Sequence, residues 1–411
     1  MVASTTAVAL AAVVAGLTSA SPNAPRTKVG TFSLPQVRNP GFKKHGPAQL
    51  AKTYVKYGAS LPDGLARTMA TFNGRFDKRD SGSARASPEQ YDIQYLTPVE
   101  IGTPPQTLNL DVDSGSSDLW VFSTEMPASS VKGQAQYDPS KSSTAKRVQD
   151  ATWNITYGDN SYSEGIVYKD VVNVGGVSFD AQAVEAATAV SQTFTTDAND
   201  DGLLGLAFST INTVQPSQEK TFFDNVASEL DAALWTADLK YHKSGCYDFG
   251  VIDDSKYTGQ ITYTDVDSSD GFWMFDVSGY GIGNNTFQST SFQGIADTGT
   301  TLAMLPAQVV KAYYKQVRGA KLDNSQGGYV FPCQANLPSF VYGVGNARYE
   351  IPGQYINYAP VDNDGTTCFG GIQSDAGIGF AILGDILLKS AFVVFDASEN
   401  VPRLGFAKKE L

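Results

Sequence analysis

The 411-residue sequence predicts an all-β protein that consists of two related lobes with a few short helices. From about residue 88 onward, short runs of alternating apolar residues are interrupted by Gly, Asn or Asp about every 8–12 residues, the spacing typical of antiparallel sheets. A motif centred on Asp-[Ser/Thr]-Gly occurs twice, at residues 110–120 and 294–302. Because internal repeats indicate repeated structural units, we expect two copies of one β unit, each presenting an acid on a turn.

The composition limits the chemistry that the chain can support. A hydrophobic fraction of 42% with 18% charged residues indicates a folded protein with a large core rather than a disordered chain. The two histidines of the chain, His45 and His242, are a small supply for a Ser-His-Asp hydrolase or a zinc peptidase. We therefore expect neither a metal ion nor a cofactor.

The charge is divided between two parts of the chain with opposite sign. Residues 1–79 contain eleven Lys or Arg and two acids, a net charge of +9; the whole chain carries −12, so that residues 80–411 carry −21. A basic arm beside an acidic body is expected to dock on it. The acidic body argues against nucleic acid as a partner, because nucleic acid requires a basic face.

The N-terminus has the pattern of a secretory signal peptide. An apolar run from Ala7 to Leu17 is followed by small residues up to Ala20, which predicts that residues 1–20 are removed and that the protein is secreted to the extracellular space. The run is shorter than the roughly 20 residues that a membrane-spanning helix needs. No later stretch is apolar enough to cross or anchor to a membrane, so we expect no membrane partner.

Residues 21–79 are predicted to form a removable basic prosegment. The segment ends in Lys78-Arg79, and a tract rich in Ser, Gly and Ala follows it at 80–87. A dibasic pair before such a tract is an accessible cleavage site, which places the mature N-terminus within residues 79–87. The alternative interpretation of the tract is an ordinary linker between domains.

The remaining chain divides into two predicted β lobes. Residues 88–270 form the first lobe and an interlobe segment, and residues 271–411 form the second lobe. Helical spacing of apolar residues predicts a helix at Thr221–Trp235 and a second at Pro306–Val317, which has Pro near its start. Alternating runs predict strands at several places, including Thr107–Val112, Gly165–Tyr168 and Ala391–Phe395.

The repeated motif contains the candidate catalytic residues. Asp113 and Asp297 each follow an apolar strand and precede a hydroxyl-Gly-hydroxyl sequence, in which Gly allows a close approach of the backbone and a positive φ. An apolar-apolar-Gly element follows each acid, with Gly205 92 residues after Asp113 and Gly384 87 residues after Asp297. Two copies in matching contexts favour a functional pair over two ordinary turn residues.

Two such turns, related by a pseudo-two-fold axis, would place two carboxylates side by side. Like charges at that separation cannot both ionise without a large energetic penalty, so the pair shares one proton. The ionised acid can take a proton from a bound water, and the protonated acid can polarise and later protonate the substrate. This chemistry requires no His, Cys or metal.

In these motifs the chain resembles the pepsin-family aspartic endopeptidases, in particular secreted fungal members of the penicillopepsin and aspergillopepsin type. The resemblance covers about residues 88–411 and implies a bilobal acid protease fold with a flap hairpin over the cleft. It also implies that Asp113 and Asp297 are the catalytic pair. The residues that would brace the two turns or hydrogen-bond the carboxylates are Ser114, Gly115, Ser116, Thr298, Gly299 and Thr300.

The same resemblance identifies residues 153–159 as the flap. Tyr157 would be the flap tyrosine that bonds to Trp120, and Gly158 and Asp159 would lie at the tip of the flap. Independently of the resemblance, the sequence Gly-Asp-Asn-Ser at 158–161 is typical of a turn. The alternative is that Tyr157 and Trp120 are core aromatics, and their spacing alone would favour this interpretation. Asp159 could pair with a lysine that precedes the scissile bond; the alternative is a solvated turn residue.

Three cysteines remain to be placed. The resemblance implies a disulfide between Cys333 and Cys368, which would stabilise the fold by about 4 kcal/mol from the length of the loop that it closes. Cys246 is then unpaired and is either buried and inert or reactive. A Cys-His nucleophile formed with His242 is disfavoured because no third orienting group is evident.

Two Asn-x-Thr sequences are candidates for glycosylation. Asn154 falls in the flap strand, where a glycan would obstruct the cleft. Asn284 is therefore the better candidate.

The sequence thus predicts a secreted, monomeric acid endopeptidase of broad, hydrophobic preference that is made as a zymogen and is sensitive to pepstatin. Its partners would be protein and peptide substrates and its own prosegment, with Lys56-Tyr57 as the candidate contact to the acids. The alternatives are a non-catalytic pepsin-like binding protein, which would be expected to have lost one of the two acids, and a basic-arm binder of nucleic acid or membrane.

Overall fold

The structure, a computed structural model, describes residues 30–39, 42, 44–73, 95–156, 162–191, 194–195, 197–362 and 364–411. The predicted signal peptide, the Lys78-Arg79 pair and the flap tip with Tyr157, Gly158 and Asp159 lie outside these residues. None of the helices in the described part of the chain has the length and apolar character needed to cross a membrane.

The N-terminal segment folds into two short strands and two helices, none of which the sequence analysis predicted. They are β1 (Phe32–Pro35), β2 (Val37–Arg38), α1 (Gly46–Lys56) and α2 (Asp63–Asn73). Helix α1 begins after His45, whose Nδ1 accepts a hydrogen bond from the Ala48 N–H. Its buried residues, which include Leu50 and Tyr54, face the body of the protein, where the helix packs against residues 357–360 and 367–370.

The first lobe is an eight-stranded sheet built mainly from residues 95–205. Its strands are β3 (Tyr95–Ile101), β4 (Gln106–Asp113), β5 (Leu119–Val121), β6 (Lys146–Thr156), β7 (Tyr162–Val174), β8 (Val177–Val190) and β9 (Gly202–Gly205), with β2 at one edge. The strand order is β2-β3-β4-β9-β5-β8-β7-β6, and β3 also pairs with β7, so the sheet curls back on itself.

The predicted helix at Thr221–Trp235 is wrong over most of its length. The segment contains α3 (Phe222–Val226), a short 3-10 turn, and then the strand β10 (Leu234–Asp238). Trp235 is fully buried in that strand and its ring stacks on Phe395 at a centroid distance of 3.8 Å. Pairing and stacking in a central sheet outweigh the helical spacing of the apolar residues, because propensity is a weak constraint when a tertiary partner is present.

The interlobe segment continues with β11 (Cys246–Phe249) and β12 (Thr258–Asp265), and the second lobe follows. Its strands are β13 (Met274–Ile282), β14 (Phe292–Ala296), β15 (Ala303–Leu305), β16 (Lys321–Asp323), β17 (Gly328–Pro332), β18 (Phe340–Val344), β19 (Ala347–Ile351), β20 (Asn357–Pro360), β21 (Thr367–Gly370), β22 (Ile372–Ser374), β23 (Ala381–Leu383), β24 (Phe392–Asp396) and β25 (Arg403–Lys408). Its helices are α4 (Ala307–Tyr314), α5 (Gly353–Ile356) and α6 (Asp385–Leu388). The predicted helix at Pro306–Val317 is confirmed as the shorter α4, and Pro306 directly precedes it.

These strands form three further sheets. Seven strands of the second lobe are ordered β19-β18-β13-β14-β23-β15-β22, and four form a separate sheet, β16-β17-β21-β20. A six-stranded sheet, β1-β11-β10-β24-β25-β12, includes a strand of the N-terminal segment. The N-terminal segment is therefore hydrogen-bonded into the central sheet and also covers the body with α1.

The predicted repetition of one β unit is confirmed by the strand pairing around the two motifs. In the first lobe β4 runs parallel to β9, so Asp113 lies opposite Gly205, and β5 pairs antiparallel to β9. In the second lobe β14 runs parallel to β23, and β15 pairs antiparallel to β23. Each acid therefore stands at the end of a strand whose parallel partner is the downstream apolar-Gly element. The result is an all-β bilobal fold.

Candidate active site

The two motif acids meet at the interface between the lobes. Asp113 is the last residue of β4, and Asp297 follows β14 directly. Their exposed fractions are 1% and 0%. The Asp297 N–H donates to the Leu383 carbonyl, and the Leu206 N–H donates to the Asp113 carbonyl, so the parallel partner strands hold both acids in place.

Donors within each turn orient the carboxylates. The Gly115 N–H lies 2.8 Å from Asp113 Oδ1, and Ser116 Oγ donates to Asp113 Oδ2 at 2.6 Å. In the second turn the Gly299 N–H donates to Asp297 Oδ1 at 3.0 Å, and the Thr300 hydroxyl lowers the pKa of the same acid. Hydrogen bonds to the ionised form stabilise a carboxylate and fix its plane.

A reciprocal set of hydrogen bonds joins the two turns. The Ser114 N–H donates to Thr298 Oγ1 at 3.1 Å, and the Thr298 N–H donates to Ser114 Oγ at 2.9 Å. Each hydroxyl then donates across the interface, from Ser114 to the Ala296 carbonyl and from Thr298 to the Val112 carbonyl. All four groups are buried, so each hydrogen bond holds the two acids at a fixed separation.

Helix α1 ends with a lysine inserted between the acids. Lys56 Nζ lies 2.7 Å from Asp113 Oδ1 and 2.9 Å from Asp297 Oδ2, and Tyr57 OH donates to Asp297 Oδ2 at 2.5 Å. One ammonium thus contacts both carboxylates, which shows that the two acids are close enough to act on one small group.

The pKa shifts at the site follow from burial and from this lysine. Burial raises the pKa of Asp113 and outweighs the opposing effect of Lys56. Burial also raises the pKa of Asp297, but Lys56, Thr300 and Tyr57 outweigh it and bring the value to about 2. Burial lowers the pKa of Lys56, yet the two carboxylates more than compensate and the net shift is upward.

The described part of the predicted flap, residues 153–156, lies on β6. This strand pairs antiparallel with β7 up to Thr156 opposite Tyr162. Trp120, from β5, is buried against Trp153 of this hairpin at a ring-centroid distance of 6.0 Å. Asn154, on the same strand, donates a side-chain hydrogen bond to Glu164 at 2.9 Å.

The cysteines occupy two different sheets. A disulfide joins Cys333 and Cys368, the pair that the resemblance implies. Cys246 begins β11, next to Pro35 of β1, and its sulfur accepts a hydrogen bond from Lys256 Nζ at 3.1 Å. His242 contacts the ring of Tyr241. Asn284, the other glycosylation candidate, is exposed in the turn after β13.

Three buried polar residues beside the Asp113 turn were missed by the sequence analysis. Asp118, Glu185 and Asn212 have exposed fractions of 2%, 1% and 4%. Glu185 lies in the otherwise apolar run Ala183–Ala187 of β8. A charged residue in an apolar strand is unusual, and this feature of the sequence could have identified Glu185 as a buried acid.

Comparisons with known proteins agree with this geometry. The family model of the eukaryotic aspartyl proteases matches residues 94–409. Endothiapepsin of Cryphonectria parasitica is 56% identical over 386 residues, which cover 94% of this chain and 92% of that protein. Aspergillopepsin-1 of Aspergillus fumigatus is 53% identical over 379 residues and penicillopepsin-3 of Penicillium janthinellum 52% over 378, each covering 92% of both chains. The chain is therefore an aspartic endopeptidase that belongs to the family of eukaryotic aspartyl proteases.

Proposed function

We propose that the chain is a secreted acid endopeptidase in which Asp113 and Asp297 activate a water molecule for attack on a peptide carbonyl. The observation that carries this proposal is the contact of both buried carboxylates with the single Lys56 ammonium. Once Lys56 has left, the same oxygens can hold a water between them. The lobe carrying Asp113 comprises residues 88–270 and the lobe carrying Asp297 residues 271–411.

The proposed reaction uses one proton shared by the two acids. The ionised carboxylate removes a proton from the water as the oxygen attacks the carbonyl carbon, while the protonated carboxyl donates to the carbonyl oxygen. The carboxyl that took the water proton passes it to the leaving amide nitrogen. As the C–N bond breaks, a hydroxyl of the tetrahedral intermediate gives its proton to the other carboxylate, so that the pair again holds one proton. The donors on Gly115, Ser116 and Gly299 keep both carboxylates oriented through these steps.

We propose that the protein is made as a zymogen. Residues 1–20 direct secretion, and residues 21–79 inhibit the enzyme until they are cut away within residues 79–87. In support, Lys56 and Tyr57 occupy the oxygens at which the water would bind, and α1 holds them there. The active form is a monomer, and Asn284, which is exposed, is the better site for a glycan.

The proposal is tested with the secreted, acid-activated chain and a denatured protein substrate at pH 3–5. Peptide-bond cleavage is expected, with complete inhibition by pepstatin. Asp113→Asn removes the general base or its partner and should lower kcat by several orders of magnitude. Cleavage that persists in the presence of pepstatin, or in Asp113→Asn, would contradict the proposal.

We further propose that the preference is for hydrophobic residues on both sides of the cut and that Asp159 extends it to lysine at the residue preceding the cut. A carboxylate at the flap tip would pair with the substrate ammonium. Matched peptides with Lys or Leu at that position should show a Lys/Leu ratio of kcat/KM that falls by up to about fivefold in Asp159→Ala, as expected for loss of one exposed ion pair. An unchanged ratio would remove this part of the proposal.

A further inference from the structure

A pair of buried carboxyl groups lies directly behind the Asp113 turn. Asp118 precedes β5 and Glu185 lies on β8, opposite Trp120 of β5 in the parallel register. The side-chain amide of Asn212 lies within hydrogen-bond distance of one oxygen of each carboxyl group, which places the two side chains next to each other. The proposed chemistry at Asp113 and Asp297 does not use either group.

The hydrogen bonds around the pair leave one fully buried carboxyl oxygen, Glu185 Oε2, without a donor. Asn212 Nδ2 contacts Asp118 Oδ1 at 3.1 Å and Glu185 Oε1 at 2.9 Å, and Thr213 donates to Asp118 through its N–H and its hydroxyl. The Asn212 oxygen accepts from two backbone N–H groups, of Val214 and Glu219, which fixes the orientation of the amide. Among the described residues, Glu185 Oε2 has no donor, and a hydrogen bond from it to Asp118 would require a proton, because two ionised carboxylates can only accept.

The charges that act on the pair are negative. Asp118 and Glu219 act on Glu185, and Asp113 acts on Asp118. Glu219 is itself paired with Lys169 of β7, and the β7 residue opposite Glu185 is the apolar Val167. Burial is the first cause that raises the pKa of Glu185 well above its ordinary value, with Asp118 second. The protonated form of Glu185 is therefore favoured at acidic pH.

The same groups hold the turn that carries Asp113. Asn212 also donates to the Ser117 carbonyl, and Ser117 Oγ donates to the Phe208 carbonyl. The Gly205 N–H donates to the Asp118 carbonyl at 3.0 Å. If Glu185 lost its proton, two buried carboxylates would face each other and repel. The repulsion would act on Asp118, which lies two residues after Ser116, and Ser116 orients the Asp113 carboxylate.

We infer that Glu185 and Asp118 share one proton and that the protonated pair holds the Asp113 turn in its working position. Glu185 is thus a positioning residue that acts through Asp118. The inference rests on the proposed role of Asp113. It follows that ionisation of the pair sets the upper pH limit of the enzyme, because stability supplied by the protonated pair declines as pH rises from the ordinary pKa of glutamate towards that of buried Glu185.

The test compares the full-length chain, after acid activation, with Glu185→Gln, Asp118→Asn and the control Glu350→Gln. Glu350 is exposed on β19 of the other lobe, so its variant makes the same charge change far from the pair. Samples are held at pH 4–8.5 and returned to pH 4. Remaining peptidase activity, normalised to each variant's own rate at pH 4, and near-ultraviolet circular dichroism are then measured.

In Glu185→Gln the amide can donate to Asp118 at every pH, so the midpoint of alkaline inactivation should rise by roughly one pH unit. Asp118→Asn places the amide on the other member of the pair and should shift the midpoint in the same direction. It serves as the test variant if Glu185→Gln fails to fold. Glu350→Gln should leave the midpoint where it is in the wild type. Equal midpoints in the wild type and in both pair variants would overturn the inference. If the wild type has no peptidase activity, the proposed function fails, and the circular dichroism midpoints still decide the role of the pair.

Discussion

Gly115 and Gly299 each lie against the acid of the opposite lobe. A Cβ atom on Gly115 would lie 2.6 Å from Asp297 Oδ1, and one on Gly299 would lie 2.4 Å from Asp113 Cγ. Neither glycine has a positive φ. The close approach of the two turns therefore requires glycine, whereas the left-handed conformation that the sequence analysis allowed does not occur here.

Replacing Gly299 by Ala should displace the Asp113 carboxylate. We expect kcat/KM to fall by roughly 100-fold, because a misplacement near 1 Å disrupts the catalytic geometry, and the free energy of unfolding to fall by about 1–3 kcal/mol. Peptide hydrolysis and urea unfolding measure the two effects. The control is Gly281→Ala, whose Cβ would lie at an ordinary 3.5 Å from Val341. Wild-type activity in Gly299→Ala would show that the turns can separate at little energetic cost.

At the scale of single elements, α1 determines where Lys56 lies. The helix begins at the His45 cap, carries Pro47 in its first turn and buries one apolar face against β20 and β21. Lys56 is its last residue, so the position of the ammonium depends on the whole helix. Anything that weakens the cap also weakens the contact with the two acids.

His45 should make docking of α1 dependent on pH. Burial lowers the pKa of His45 to about 4. Because this is below the ordinary value near 6.5, the neutral cap stabilises the docked helix fully above about pH 6.5, and this contribution is lost as pH falls through about 4. The protonated ring cannot accept the Ala48 N–H, and its charge opposes the helix dipole.

The variant His45→Asn retains an acceptor at the cap but does not titrate. At pH 3.5–4.5 its prosegment should be released about fivefold more slowly than that of the wild type, since a cap contributes about 1 kcal/mol. His45→Ala, which has no cap at any pH, should release it faster. Electrophoresis of timed samples measures both rates. Identical pH profiles for the wild type and His45→Asn would exclude His45 as a pH-sensitive cap.

At the scale of the whole molecule, opposite charge and strand pairing both act at the interface between the N-terminal segment and the body of the protein. Residues 1–79 carry +9 and the rest of the chain −21. The basic segment adds β1 to the edge of the sheet next to β11 and places Lys56 between the two acids. Attraction between the two parts and strand pairing therefore act together to hold the segment on the body.

Salt should accelerate release of the prosegment. Raising the ionic strength from 0.01 M to 1 M shortens the Debye length from about 30 Å to about 3 Å and screens the attraction between exposed charges. At pH 4.5 we expect the release rate to rise several-fold, whereas the buried contact of Lys56 is screened less. Timed electrophoresis across this range measures the effect, and a rate independent of salt would contradict electrostatic docking.

The sequence by itself determined the class of fold, the repetition of one β unit and the pairing of two acids. These features are local: alternation marks the strands, and each Asp-[Ser/Thr]-Gly turn is a contiguous motif. The sequence indicated Lys56-Tyr57 as a contact to the acids, but it did not show that Lys56 lies between Asp113 and Asp297, the latter 241 residues away. It gave no sign that Asp118, just before β5, lies next to Glu185 of β8. Only the tertiary structure decided this geometry, because it depends on how the sheets and α1 pack. Tertiary contacts also explain why most of the segment predicted as a helix at Thr221–Trp235 is not helical. Trp235 pairs with β24 in the six-stranded sheet and stacks on Phe395, and these contacts outweigh the helical spacing of the apolar residues.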